Sequence, residues 1–270
     1  MKRYFLHLSY DGANYRGWQN QKDVVGVQEI IERELSKVLK KQTSIVGCGR
    51  TDARVHASQY FAHFHADFDG EFDLLFRLNK NLPDDISIHE LIPVSEKNHA
   101  RYHAHARTYN YFVHTKKVAH LATHSTLYQK EELDFSKMKA AVLLIANYTD
   151  FAAFCKTPAT HDSTICAIKN VQLFHNQDCT QYCFEITANR FLRGMIRNLM
   201  ARIIQVGNGE IDLQEFDDLL SLRKNEQLPI AAHPQGLYLT KISYPFLDIA
   251  PVFDPKSVNL LKENDSWSAD

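Results

Sequence analysis

At 270 residues, with 44% hydrophobic and 23% charged side chains, the chain is long enough for two modest domains or one large one, and its composition excludes a disordered or fibrous protein. Lys and Arg number 31 against 32 Asp and Glu, a formal charge of -1, so a polyanionic partner has to be met by a local basic surface and not by the field of the whole molecule. The five cysteines are scattered without a CxxC pair, with Cys179 and Cys183 the nearest two, which suits idle thiols in a reducing compartment better than a disulfide framework or a metal site.

The first ten residues, MKRYFLHLSY, lack the apolar core of a signal peptide, and no apolar run approaches membrane-spanning length; a cytoplasmic protein with no membrane partner is expected. Residues 4–10 alternate Tyr4, Leu6, Leu8, Tyr10 against Phe5, His7, Ser9, the period of a half-buried strand. Next comes a loop, DGANYRGWQNQ, rich in aromatic and amide groups. Tyr15, Arg16, Trp18 and Gln19 in it suit stacking on bases and hydrogen bonding to bases or sugars, although Trp18 alone fits at least equally well as a core residue. Val27, Ile30, Ile31, Leu35, Val38 and Leu39 form the stripe of an amphipathic helix over 27–41.

Strand-like runs over 43–48 and 58–65 flank the segment GRTDARVHA, residues 49–57. It places Asp52 at a turn between two strands, with Arg50 and Arg54 beside it. Loops mounted on rigid strands are common sites of catalysis. Nearby guanidinium groups favour an ionised carboxylate, which can serve as nucleophile or general base. An Asx turn beside solvated arginines is the simpler account of an isolated RTD. A helix over 72–82, stopped by Pro83, and a strand over 86–94 complete a β-α-β-β-α-β order, that of a ferredoxin-like half.

Residues 97–105 are loop-like and basic, with His99, His103 and His105. Together with His63 and His65 they raise a metal hypothesis, but no acid or cysteine completes a familiar ligand spacing and no metal is expected. RTYNYFVHT, residues 107–115, alternates as a strand. A helix over 135–146 and strands over 165–174 and 181–188 follow. A long helix is expected over 190–207, because Phe191, Met195, Leu199 and Ile203 recur every four residues. Arg190, Arg193 and Arg197 occupy another face, with Arg202 further on, and no acid occurs between Glu185 and Glu210. That face reads either as a polyanion surface or as a solvated one. A helix over 213–222 and a strand over 236–243 close the second half. The expected division is an N-terminal domain over 1–100 carrying the Asp52 loop, a C-terminal domain over 101–245 carrying the basic helix, and a tail over 246–270 that is mobile at its end.

Four separated motifs, YDGANYRGWQ, GRTDARVHA, RTYNY, and ANRFLRGMIRN with QGLYL far downstream, occur in this order. Over about residues 4–244 the chain thereby resembles the TruA family of tRNA pseudouridine synthases. The resemblance implies an α+β fold: two ferredoxin-like (RRM-like) α/β domains related by a pseudo-two-fold, their antiparallel sheets joined, with a basic RNA-binding cleft between them. It implies a homodimer that needs no cofactor and isomerises uridine to pseudouridine at positions 38, 39 and 40 of the tRNA anticodon arm. By motif position Asp52 matches the essential aspartate, Tyr109 the aromatic stacked on the target base, and Arg197 the arginine paired with the aspartate. Arg50 matches the arginine that helps extrude the uridine and takes its place, and Leu237 the aliphatic residue that closes the pocket. Arg190 and Arg193 are candidate RNA contacts. One departure falls in the central motif, where Arg54 replaces the usual glycine. Either Arg54 takes up a left-handed conformation at a cost of about 1 kcal/mol, or the loop follows another path, or the side chain adds a phosphate contact. Arg54 also sustains two alternatives: a non-catalytic RNA-binding or tRNA-folding paralogue, and a synthase acting on other RNA sites.

Overall fold

The computed structural model describes residues 1–67, 73–129, 132–221, 231–260 and 266–269. Its main elements run β1 (Lys2–Tyr10), α1 (Val27–Leu39), β2 (Val46–Gly47), β3 (His56–Ala66), α2 (Leu74–Asn81), β4 (Ile86–Val94), β5 (Ala106–His114), β6 (Thr126–Leu127), α3 (Phe135–Ile145), β7 (Ile168–His175), β8 (Gln181–Ala188), α4 (Met195–Gly207), α5 (Leu213–Leu220), β9 (Leu237–Ser243) and α6 (Pro255–Asn259). The fold is mixed α+β. No helix among the described residues is long and apolar enough to cross a membrane. Contacts divide the chain into two units, Met1–His105 with Tyr238–Asp254, and Ala106–Leu237 with Pro255–Asp270. Most of the last strand therefore clusters with the N-terminal elements, a return that element order along the chain does not reveal.

In the first unit the strands lie in the order β4-β1-β3-β9, with β2 on β3. All pairings are antiparallel except β3 with β9, where His56 faces Tyr238 and Ala57 faces Leu239. The alternation over β1 suggested one solvated face, yet every residue from Tyr4 to Tyr10 is buried. Tyr244 and Phe246 cover Phe5 edge-on, and His7 stacks on Phe61 at 4.9 Å. Helix α1 packs through Val27, Ile31 and Leu35, all fully buried. It ends at Leu39 because Lys40 turns left-handed at φ 52. Helix α2 starts after Asp73, whose carboxylate accepts the Phe76 N–H at 2.9 Å. The expected start at residue 72 lies outside the described residues. Leu82, preceding Pro83, is extended and stops the helix.

In the second unit β5, β8 and β7 form an antiparallel run, with β6 parallel to β5. Helix α4 begins at Met195 and not at residue 190. Gly194 sits at φ 75, in the left-handed region, and a right-handed helix cannot run through it. Arg190 and Arg193 therefore belong to the segment before the helix, and only Arg197 and Arg202 are helical. Arg202 is buried, its Nη1 donating to Gln205 Oε1 at 2.9 Å, so it adds nothing to a basic surface. Parts of the tail are anchored: His175 and Ser268 exchange backbone hydrogen bonds of 2.8 Å, and the Trp267 indole donates to the Lys256 carbonyl at 3.0 Å. The expected mobile end falls partly on 261–265 and 270, outside the described residues.

Candidate active site

The Asp52 loop is fixed from three sides by groups of its own unit. The Tyr60 hydroxyl donates to the Gly49 carbonyl at 2.6 Å, and the Tyr10 hydroxyl meets Thr51 Oγ1 at 2.8 Å. From the aromatic loop, the Trp18 N–H donates to the Thr51 carbonyl at 3.3 Å. The turn itself closes through the Val55 N–H on the Asp52 carbonyl at 3.2 Å. Asp52 is thus held by its backbone while its side chain is only partly buried. Such preorganisation suits a carboxylate that must meet a reacting atom in one geometry.

Two glycines let the aromatic loop approach so closely. A Cβ on Gly12 would lie 2.0 Å from the Val55 carbonyl oxygen, and one on Gly17 would lie 2.5 Å from that of Thr51. Gly17 also sits at φ +95. The far side of the same loop caps α1, which has no side-chain cap of its own. The Val27 and Gln28 N–H groups donate to the Gly17 and Trp18 carbonyls at 3.1 and 3.0 Å. Residues 11–20 are therefore a spacer between a helix terminus and the Asp52 turn.

This role selects the core reading of Trp18 and corrects the expectation for Tyr15. Trp18 is 1% exposed, stacked on Tyr60 at 4.0 Å, and so serves the core and cannot lie under an RNA base. Tyr15 is also buried; its hydroxyl donates to Asp85 Oδ1 at 2.5 Å. Burial, and then the Asp85 carboxylate, hold that phenol above the ordinary range. Gln19 is half-buried and bonded to Arg50 and to Gln28. Arg50 and Arg54 are exposed. Arg54 adopts φ 64, so the loop keeps a left-handed residue there and does not take a different path. Sequence reasoning missed Tyr10, Tyr60, Asp85, Gln28 and Glu32 as supports, since nothing in their local pattern distinguishes a bracing side chain from an ordinary strand or helix residue.

In the second unit, Tyr109 is 9% exposed on β5, its ring edge-on to Phe191 at 5.1 Å. Phe191, expected on the buried face of a helix, is instead a half-buried neighbour of that ring. Arg197 is half-buried in the first turn of α4. Its Nε donates to the Ala232 carbonyl at 2.6 Å, and its own carbonyl accepts the Ala232 N–H at 3.1 Å. Arg190 is partly exposed and Arg193 exposed, with the Arg193 carbonyl bound by the Lys156 N–H at 2.9 Å. Leu237 is buried at the start of β9, after the turn Pro234–Gly236. The second tyrosine of RTYNY secures that turn: the Tyr111 hydroxyl donates to the His233 carbonyl at 2.7 Å and lies 2.8 Å from Thr126 Oγ1. A Cβ on Gly236 would come within 2.5 Å of the Phe112 carbonyl oxygen.

The histidines of 97–105 build a turn. His99 Nδ1 accepts the Arg101 and Tyr102 N–H groups, His103 Nδ1 accepts that of His99, and His63 Nδ1 accepts that of Ala100. Burial, with the charges of His99, Arg3 and His65, pushes the His63 imidazole down to about 4. Four cysteines are buried, with Cys166 pushed up to about 11 chiefly by burial; Cys179 is exposed, whereas Cys183 is buried on β8.

A family model described as tRNA pseudouridine synthase matches residues 148–245. A tRNA pseudouridine synthase A of Bacteroides fragilis is 35% identical over 91% of this chain and 97% of its own length. The protein of that name from Porphyromonas gingivalis is 34% identical over 91% and 98%. That from Parabacteroides distasonis is 35% identical over 94% of this chain and all of its own length.

Proposed function

Since the chain belongs to the tRNA pseudouridine synthase A family and isomerises uridine to pseudouridine in tRNA, we propose that it acts at positions 38, 39 and 40 of the anticodon arm, with Asp52 as the essential carboxylate. The observation that carries this is the bracing of the Asp52 turn by Tyr10, Trp18 and Tyr60, which holds the backbone of an aspartate whose side chain is not fully buried.

The reaction breaks the bond from ribose C1′ to uracil N1, turns the base, and joins C1′ to C5. The C5 proton leaves and N1 gains one, so the atoms balance without a co-reactant. A target uridine in the stem must first leave the stack, which costs a few kcal/mol. The face of Tyr109 returns about 1–3 kcal/mol by stacking on the base. Asp52 then serves as the anionic oxygen that assists bond cleavage as nucleophile, and later assists removal of the C5 proton. Arg197 is the arginine that the family likeness pairs with the carboxylate; its Nε is committed to Ala232, so its planar fork has a defined direction. Arg50 extrudes the uridine and Leu237 closes the pocket over the base. Arg54, Arg190 and Arg193 neutralise phosphates. The finer architecture that the family implies, pseudo-two-fold related domains with joined sheets and a basic cleft for RNA in a cytoplasmic homodimer, belongs to the same proposal.

The test replaces Asp52 by Ala and by Asn in the purified protein and maps pseudouridine in anticodon-arm transcripts. Loss of product at all three positions, with RNA affinity kept within about threefold, is expected. Turnover by either variant at the wild-type rate would end the assignment.

A further inference from the structure

We propose that Gln28 and Glu32 on α1, together with Gln19, are positioning residues that hold Arg50 through a one-way chain of hydrogen bonds. The proposal rests on the reading of Arg50 as the residue that extrudes the target uridine. Arg50 Nε donates to Gln19 Oε1 at 3.1 Å, and Gln19 Nε2 donates to Gln28 Oε1 at 2.9 Å. Gln28 Nε2 donates in turn to Glu32 Oε1 at 3.0 Å and to the Ile45 carbonyl at 3.1 Å.

Both ends of the chain fix its polarity. A guanidinium N–H can only donate, so Gln19 must turn its oxygen toward Arg50. The Ile45 carbonyl can only accept, so Gln28 must turn its nitrogen there. Gln19 cannot flip without breaking two links, nor Gln28 without breaking three. The chain starts at a cation and ends at a carboxylate, so each bond polarises the next in the same sense. Glu32 is itself pinned by the Ile45 N–H at 2.8 Å and by Asn20 Nδ2 at 2.7 Å. Gln28 is buried, and its backbone N–H is bound to the Trp18 carbonyl, so the anchor is rigid where Arg50 is exposed.

An exposed arginine samples many rotamers. Held at Nε, its guanidinium plane is restricted while Nη1 and Nη2 remain as donors toward nucleic-acid acceptors. That order matters when a base has to be driven out of a helix and its place taken, because disorder in the replacing group adds to the entropy of the step. It matters little when the base is already unpaired. The chain thereby gives Gln19 a different part from the direct substrate contact expected of an amide in that loop.

The experiment compares single-turnover rates of the full-length protein on two anticodon-arm RNAs, one with the target uridine paired in the stem and one with it mismatched. Gln19→Leu and Gln28→Leu are compared with Arg50→Ala and with the double variant Gln19→Leu/Arg50→Ala. Expected is a loss of about tenfold on the paired target and no more than about twofold on the mismatched one, with Gln19→Leu adding nothing to Arg50→Ala. A general structural role would slow both RNAs alike, and that result, or additivity with Arg50→Ala, overturns the chain. Arg50→Ala slowing both RNAs equally would overturn the extrusion reading, and the chain with it. Should Gln28→Leu fail to fold, Gln19→Leu decides the matter, since its side chain is only half-buried.

Discussion

The backbone N–H of Arg54 donates to the carbonyl of Tyr15 at 3.1 Å while Arg54 itself stands at φ 64. The hydrogen bond seats the loop 11–20 on the Asp52 turn, and it requires a conformation that a residue with a Cβ adopts at a cost. Replacement by glycine removes that cost, partly offset by the freer unfolded chain. Arg54→Gly is expected to raise stability by about 0.5–1 kcal/mol, read as a higher urea midpoint with unchanged slope. The same variant is expected to bind RNA with a salt dependence shallower by about one phosphate contact. A lowered midpoint would mean that the arginine side chain does more for the fold than the strain takes away.

The Tyr111 hydroxyl sets the turn ahead of Leu237 from inside the sheet. Tyr111→Phe keeps the ring but leaves the His233 carbonyl and Thr126 short of a buried partner. A loss of about 1–2 kcal/mol is expected in urea or thermal unfolding. Turnover is expected to fall alongside through a raised KM, because Leu237, proposed above to close over the base, is then less well placed. Unchanged stability together with unchanged KM would show that the turn is held by Gly236 and its neighbours alone.

Acid should weaken the first unit through His63. Its imidazole titrates at about 4 in the folded protein against an ordinary 6.5, with burial the main cause. The unfolded chain therefore takes up the proton at higher pH than the folded one. The contribution is complete above about pH 6.5 and is lost progressively as the pH falls toward about 4. By pH 5 the loss is on the order of 2 kcal/mol. His7, His89, His99 and His114 are also held low by burial, so the wild-type slope has several contributors. Urea titrations at pH 7.5 and 5 should show a smaller pH penalty in His63→Gln than in the wild type. Equal penalties would assign the acid sensitivity to the other histidines.

Element type was legible wherever one face of a segment is apolar and the other polar. Helix α1 follows from that period, because burial of one face sets both its conformation and its orientation. Boundaries were legible for some strands, as over 86–94 and 181–188, and where local chemistry stops the chain, as at Leu82 before Pro83. The fourfold spacing through Phe191 and Met195 overran a real boundary, since periodicity carries no sign of the backbone angle at Gly194. Trp18 stood open between two roles, and Tyr15 was misjudged, for a related reason. An aromatic ring in a polar loop can face a ligand or the interior, and only its neighbours, Tyr60 and Asp85, decide which.

The amino-acid sequence by itself determined the family to which the chain belongs, since four motifs in a fixed order carry the likeness, and through that likeness it nominated Asp52, Tyr109 and Arg197 as the proposed chemical groups. The tertiary structure alone decided how those residues are supported. It made Trp18 a core residue, put Arg54 in a left-handed backbone, and linked Arg50 to Glu32 on α1 through two amides. Supporting contacts join residues far apart in the chain, as Tyr15 to Asp85 or Tyr111 to His233, and they depend on where hydrogen-bond donors and acceptors meet once the strands have paired. Local sequence holds no record of those distances.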